Sequence, residues 1–176
     1  IRREVRVGID RLYPDAIAAP LDRTPDSPPV VPPGPPALIL PAPATGYLRA
    51  VDADLLLGAL PPGIALARVG PRVGDYLIEG APLVELWAAG PLDRARVADL
   101  AGAFALDRER SQHQDILFGI SQLVDIALKA LSPGINDPTT AEQCLAHLGD
   151  IVARLAGRQF PDPWRRAPGR GPILLL

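Results

Sequence analysis

The sequence predicts an α+β protein in which a small curled β-sheet or barrel packs with an antiparallel helical hairpin. Three observations carry this expectation. Short apolar runs punctuated by glycine, proline and aspartate crowd residues 46–92. Two longer segments repeat apolar residues at helical spacing. Between them stands the rigid string Ser132-Pro133-Gly134-Ile135-Asn136-Asp137-Pro138. A chain of 176 residues, 48% hydrophobic and 22% charged, suits one folded domain or two small ones.

Taken in order, Ile1, Val5, Ile9 and Leu12 fall at helical spacing among Arg2, Arg3, Arg6 and Arg11, so residues 1–13 read as a basic amphipathic helix ended by Tyr13-Pro14. On the residues alone this is an ordinary surface helix or one lying beside a membrane. Residues 14–45 read as a linker. Ten of the 24 residues from Pro20 to Pro43 are proline, which removes backbone donors and favours extended polyproline geometry. The spacings Pro29-x-x-Pro32 and Pro33-x-x-Pro36 also match ligands of proline-recognising modules, although any such run contains them by chance.

Residues 46–92 form the β-rich part. Tyr47 to Val51 reads as a strand, and Asp52 as the N-cap of a short helix carrying Leu55, Leu56 and Leu60. Strands follow at Ile64–Val69, Tyr76–Ile78 and Leu83–Trp87, separated by turns at Val73-Gly74-Asp75 and Glu79-Gly80. Residues 93–176 form the helical part, beginning with a helix from Asp93 to Phe104 and ending on a strand at Ile173–Leu176 that reads as cut short. With no methionine and a start at Ile1, the chain reads as an interior piece of a longer one.

The hairpin spans residues 108–156. Ser111 and Gln114 give a capping-box start, and Ile116, Ile120, Leu123, Val124, Ala127 and Leu131 form an apolar stripe, with Gln122, Asp125 and Lys129 on another face. Pro133 disfavours helix at Ser132, so the first helix ends near Leu131. Asp137 caps the second, with Pro138 at its first position, and Ala141, Cys144, Leu145, Leu148, Val152 and Leu155 line its buried side.

Several chemistries lack their parts. A net charge of −2 and eight aromatic residues give no basis for nucleic-acid binding. Cys144 is the only cysteine, so no internal disulfide forms. Cys144 and His147 share a helix side, but His113 lies nine positions beyond their partner on the opposite helix, about 13 Å away, so no metal site is expected. None of the four serines sits in a nucleophile elbow, no phosphate loop precedes the lone Lys129, and no cofactor is expected. One polar constellation remains: Arg108, Gln114, Asp115, Gln122, Asp125, Asn136, Asp137, Thr139 and Thr140, with Asp107 and Arg110 beside it. It reads either as capping, turn closure and helix-face ion pairs or as a site for an anion or substrate at the start of the second helix.

The run Val73-Gly74-Asp75 through Gly80-x-Pro82-Leu83 resembles the second half of a biotinyl/lipoyl-like barrel-sandwich domain. A swinging-arm carrier is excluded, because attachment needs a lysine at a hairpin tip and the only lysine is Lys129, inside a helix. More extensively, Arg108-Glu109-Arg110-Ser111, Gln114-Asp115, Phe118-Gly119-Ile120, Gln122 to Ala127 and Ala130 to Ala141, with Gly46-Tyr47-Leu48 and Val51-Asp52, resemble domain-of-unknown-function family 2254, predicted bacterial integral membrane proteins. The likeness runs from about Ile1 to Arg170.

The resemblance implies transmembrane helices before Ile1, a first helix continuing from the last span, and placement of this soluble part on the cytoplasmic side of the bacterial inner membrane, which the four arginines also suit. It brings no substrate, cofactor or catalytic residue. The expected role is therefore non-catalytic: assembly, ligand sensing or gating of the membrane part. The alternatives are an enzyme using Asp115, Asp125, Asn136 and Asp137 around the Ser132–Thr140 turn, and a structural homo-oligomerisation module.

Overall fold

A computed structural model describes residues 1–13, 29–90, 92, 94–112, 114–165 and 172–175. Linker residues 14–28, Asp93 at the expected start of a helix, His113 of the metal test and the terminal Leu176 lie outside the described residues. In chain order the elements are α1 (Arg2–Leu12), β1 (Leu38–Pro41), β2 (Gly46–Val51), α2 (Ala53–Ala59), β3 (Ile64–Val69), β4 (Tyr76–Leu77) and β5 (Pro82–Ala88). There follow α3 (Arg94–Asp99), a 3-10 turn at Leu100–Ala103, β6 (Phe104–Asp107), α4 (Ile116–Ala130), α5 (Pro138–Ala156), β7 (Trp164–Arg165) and β8 (Ile173–Leu175). The fold is thus a mixture of helices and sheets, as expected.

The chain divides into two compact units, each discontinuous in sequence: Ile1–Asp22 with Ser111–Pro161, and Arg23–Arg110 with Asp162–Leu176. Residues 93–110 and the C-terminal strands thus join the sheets rather than the helices. The first helix joins α4 and α5 instead of standing apart.

In the sheet unit, one sheet runs β1-β5-β3-β8-β7 and the other β4-β2-β6. Both are open, so among the described residues no sheet closes into the expected barrel. All pairings are antiparallel except β3 with β8, which run parallel with Ala67 opposite Ile173. Leu48, Leu56, Leu60, Leu83, Leu86, Leu100 and Ile173 are buried in one shared core. Each such Leu or Ile contributes about 1.5–3 kcal/mol through burial. Asp52 accepts the Leu55 N–H at 2.9 Å, the expected N-cap.

Two expectations fail here. Leu38–Pro41 lies in the proline-rich stretch yet pairs with β5, because Leu38-Ile39-Leu40 supply both backbone donors and apolar side chains that the flanking prolines lack. Phe104 does not end a helix. It opens β6, whose pairing with β2 sets Val51 opposite Phe104 and Tyr47 opposite Asp107.

In the helical unit, Val5 and Ile9 of α1 are buried with Ile116, Leu123, Cys144 and Ile151. The apolar face of α1 is therefore occupied by protein. Helices α4 and α5 also pack on each other. α4 begins at Ile116 with Asp115 as its cap, accepting the Phe118 N–H at 2.9 Å, so the Ser111/Gln114 capping box is not the start of the helix. The carboxylate of Asp115 stands where the free N–H groups are, and Ser111 is four residues too early. On α5 the buried row is Ala141, Cys144 and Ile151, with Leu148 and Leu155 at its margin. Leu145 and Val152 are exposed instead.

Candidate functional site

The turn between α4 and α5 is built from local chemistry. Ser132 donates its N–H (3.1 Å) and its hydroxyl (2.7 Å) to Lys129 O, while Ser132 O accepts Ile135 N–H (3.0 Å) and Asn136 N–H (2.8 Å). Asn136 has φ 47°, a left-handed conformation that asparagine tolerates better than most residues. Asp137 N–H returns to Ala130 O at 2.8 Å. Asp137 then caps α5: its Oδ1 accepts Thr140 N–H at 3.1 Å and its Oδ2 accepts the Thr140 hydroxyl at 2.5 Å. Those bonds, the hydroxyl's first, hold the Asp137 carboxyl below the usual carboxylate range.

Of the eight candidate residues in the helical unit, four lie at this turn. Asn136, Asp137, Thr139 and Thr140 are there, with Thr139 exposed. Asp115, only 4% exposed, caps the other end of α4, which rises about 22 Å over its fifteen residues. Gln114 precedes that cap and is half-buried. Gln122, on α4, accepts the Gln112 amide at 2.5 Å, and Asp125 is exposed further along. Arg108 belongs to the sheet unit, where its N–H bonds Asp107 Oδ1 at 2.6 Å and Asp107 pairs with Arg49. The guanidinium of Arg49 is the main cause of a lowered Asp107 pKa. Within the helical unit, Asn136, Asp137, Thr139 and Thr140 come together at the turn, and there Asp137 and Thr140 are engaged with each other. Among the described residues no group of three or more His, Cys, Asp or Glu is placed to hold a metal ion.

A second polar cluster escaped sequence reasoning. Asp10 of α1 accepts Arg154 of α5 through Nε at 2.9 Å and Nη2 at 2.5 Å, and also pairs with Arg158. Arg6 reaches Asp150 at 3.4 Å. The hydrogen bond from Arg154, helped by the charges of Arg154, Arg158 and Arg6, holds Asp10 below its ordinary pKa, and Asp10 in turn raises Arg154. Arg154 lies on α5 and Arg158 just past its C-cap Gly157, four residues on, but nothing in the sequence names Asp10 as their shared acceptor. In the same unit Tyr13 and Phe160 meet as tilted rings, their centroids 4.9 Å apart and their planes at 58°. Also in this unit, Gln112 Oε1 is buried with no hydrogen-bond partner among the described residues.

Residues 2–175 match the family of predicted membrane proteins designated domain of unknown function 2254, and the chain belongs to that family. An uncharacterised protein of Mycobacterium bovis and another of Mycobacterium tuberculosis strain H37Rv are each 39% identical to it over 164 residues, 90% of this chain. The chain spans 30% of the length of these relatives. No solved structure gives a significant match. Among the described residues no helix is long and apolar enough to cross a membrane.

Proposed function

We propose that this chain is a soluble, cytoplasmic domain of a bacterial inner-membrane protein, with a non-catalytic role in assembly, ligand sensing or gating of a membrane-embedded part. The observation that carries the reading is a disparity. A predicted-membrane-protein family matches residues 2–175, while no described helix can span a bilayer and the relatives are more than three times as long. The spanning segments then lie in the remainder of the longer protein.

The positive-inside bias of Arg2, Arg3, Arg6 and Arg11 supports the cytoplasmic side. The α1–α5 ion pairs support α1 as the element through which the membrane part and the helical unit act on each other. In the sheet unit, two sheets around one core support a barrel-sandwich-like scaffold without a carrier function. Reporter fusions at Ile1 and after Leu176 of the full-length product test the reading. Active cytoplasmic reporters and inactive periplasmic ones are expected; the reverse pattern overturns the placement. Recovery of the full-length product in the soluble fraction without detergent overturns the membrane assignment.

An enzyme built on Asp115, Asp125, Asn136 and Asp137 finds no support in this geometry, because two of its carboxylates serve as caps at the starts of different helices and the third is exposed on α4 between them. Homo-oligomerisation has a specific observation in its favour, the apolar face of α4 and α5 described next.

A further inference from the structure

Helix α4 is apolar over more of its circumference than its neighbours cover. At 100° per residue, Ile116, Gly119, Leu123 and Ala130 face the core of the unit. Leu117, Val124, Leu128 and Leu131 recur at three- and four-residue spacing on an adjoining face, where Leu117 is 70% and Leu128 64% exposed. Leu145 (69%) and Val152 (60%) do the same on α5. Helix α1 lies on the other side: it meets α4 at Gly119 and Ile116 and α5 at Asp150 and Arg154. The helix pair is therefore covered by α1 on one side and presents an open apolar face on the opposite one. Leu117, Leu128, Leu131, Leu145 and Val152 are each more than half exposed there, and large apolar side chains grouped on one face mark an interaction surface.

We infer that this face binds the same face of a second copy of the chain, giving an interface of two α4–α5 pairs; the inference rests on the assembly reading above and deepens it. The face has the shape for self-packing. Leucine and valine ridges run along both helices, and the small residues Ser121 and Gly149 interrupt them four positions after Leu117 and Leu145; nothing lies within 4 Å of where a Gly149 side chain would begin. A ridge beside such a gap on the same patch is what a two-fold interface requires, since each copy supplies both.

Charge favours the same occupant. The face itself carries no ionisable group, and its rim holds both signs: Asp125 and Lys129 on α4 and Glu142 on α5. Two copies thus meet without a wall of like charge. A helix face made for lipid headgroups is flanked by several cations, whereas this rim has two acids and a single lysine. Helices of fifteen and nineteen residues, about 22 and 28 Å long, give the patch the reach of one side of a small standard interface. Tethering both copies to one membrane raises their effective concentration and strengthens a modest intrinsic affinity.

The test is sedimentation of the 176-residue chain from micromolar to sub-millimolar concentration, beside Leu128→Glu, Leu145→Glu and the sheet-unit control Leu55→Glu, each checked for unchanged circular dichroism. A concentration-dependent dimer is expected, weakened at least tenfold by the first two variants and unaffected by the third. Leu145→Cys adds a readout that needs no disruptive charge. The native Cys144 is buried, so oxidation should link two copies through position 145 in that variant only. A chain that stays monomeric throughout, or a dimer indifferent to all three glutamates, overturns the inference. So does a monomer that floats with anionic phospholipid vesicles and loses this with Leu128→Glu, because the occupant is then lipid. The full-length product in detergent separates the two levels. If it is dimeric and Leu128→Glu leaves it so, this face is wrong but the assembly reading stands; if it is monomeric, both fail.

Discussion

Val5 of α1 fills the space directly over Gly119 of α4, so that a Cβ on Gly119 would overlap Val5 Cγ2. Val5 is itself buried and has nowhere to turn. This contact sets how closely the first helix approaches the fourth, and glycine is the residue that permits it. Gly119→Ala should destabilise the helical unit by about 1–3 kcal/mol through overpacking, which outweighs alanine's better helix propensity. Gly149→Ala, on open helix surface, should stabilise by about 0.5–1 kcal/mol. Thermal melts of the two variants at dilute concentration should move in opposite directions; a shared direction would refute the close-approach argument.

Asp115 is a buried cap whose carboxylate accepts the Phe118 N–H. Asp115→Ala should cost about 1–2 kcal/mol and fray the first turn of α4, whereas Asp115→Asn should recover most of the loss. Denaturant titration monitored by circular dichroism measures both. Exchange of the amide of Phe118 should speed up in the alanine variant.

Asp137 gives a pH signature. Its folded pKa lies below the ordinary carboxylate value because Thr140 donates twice to the carboxylate, through its hydroxyl and its N–H. A depressed folded pKa means that the contribution is complete above the unfolded value and is lost as pH falls through the folded one. Melting temperature should therefore decline below about pH 4. Asp137→Asn should flatten that decline while keeping most of the neutral-pH stability, and Thr140→Val should make it shallower by bringing the folded pKa back toward the unfolded one.

Asp10, lowered chiefly by Arg154, follows the same sign, and its ion pairs are also open to salt. Asp10→Ala should loosen α1, seen as faster amide exchange in residues 5–12 with α4 and α5 little changed. Reversing the pair, Asp10→Arg with Arg154→Asp, should restore part of the protection that either single change removes. Additive losses in the double variant would show that the two side chains do not act on each other.

In the sheet unit, Gly46 lies against the Asp107 carbonyl, 2.6 Å from where a Cβ would sit. Gly46→Ala should part β2 from β6 locally. Faster exchange of the amides of β2 and β6 than of β3 and β5 is the expected readout.

The turn was legible because its instructions are local: Pro133 stops one helix, and Asp137 with Pro138 starts the next within a few residues. The strands at residues 46–51, 64–69 and 82–88 were legible for the same reason. What escaped depends on distant partners. Phe104 looked like the last residue of a helix, but it opens a strand because β2 supplies the other half of the ladder for Phe104–Asp107. Residues 38–41 became a strand because β5 was there to pair with them. Leu145, Val152 and Ile151 all satisfy an apolar period on α5, and only packing chose Ile151 for the interior. The arrangement of the candidate residues was not legible: Asp115 and Asp137 are both caps, and a cap and a ligand-binding acid present the same letter. The pairing of Asp10 with Arg154 spans 144 residues, and no spacing rule reaches that far.

The parallel pairing of β3 with β8 places the last described strand inside the larger sheet, between β3 and β7, rather than at its edge. During synthesis, residues 64–69 wait for more than a hundred further residues before their neighbour leaves the ribosome. The helical unit, whose own residues are complete by Pro161, is made in the meantime. Such long-range closure slows folding and leaves an apolar edge open to wrong partners while it lasts. Because the two units are threaded through each other in sequence, no single cut releases either of them whole.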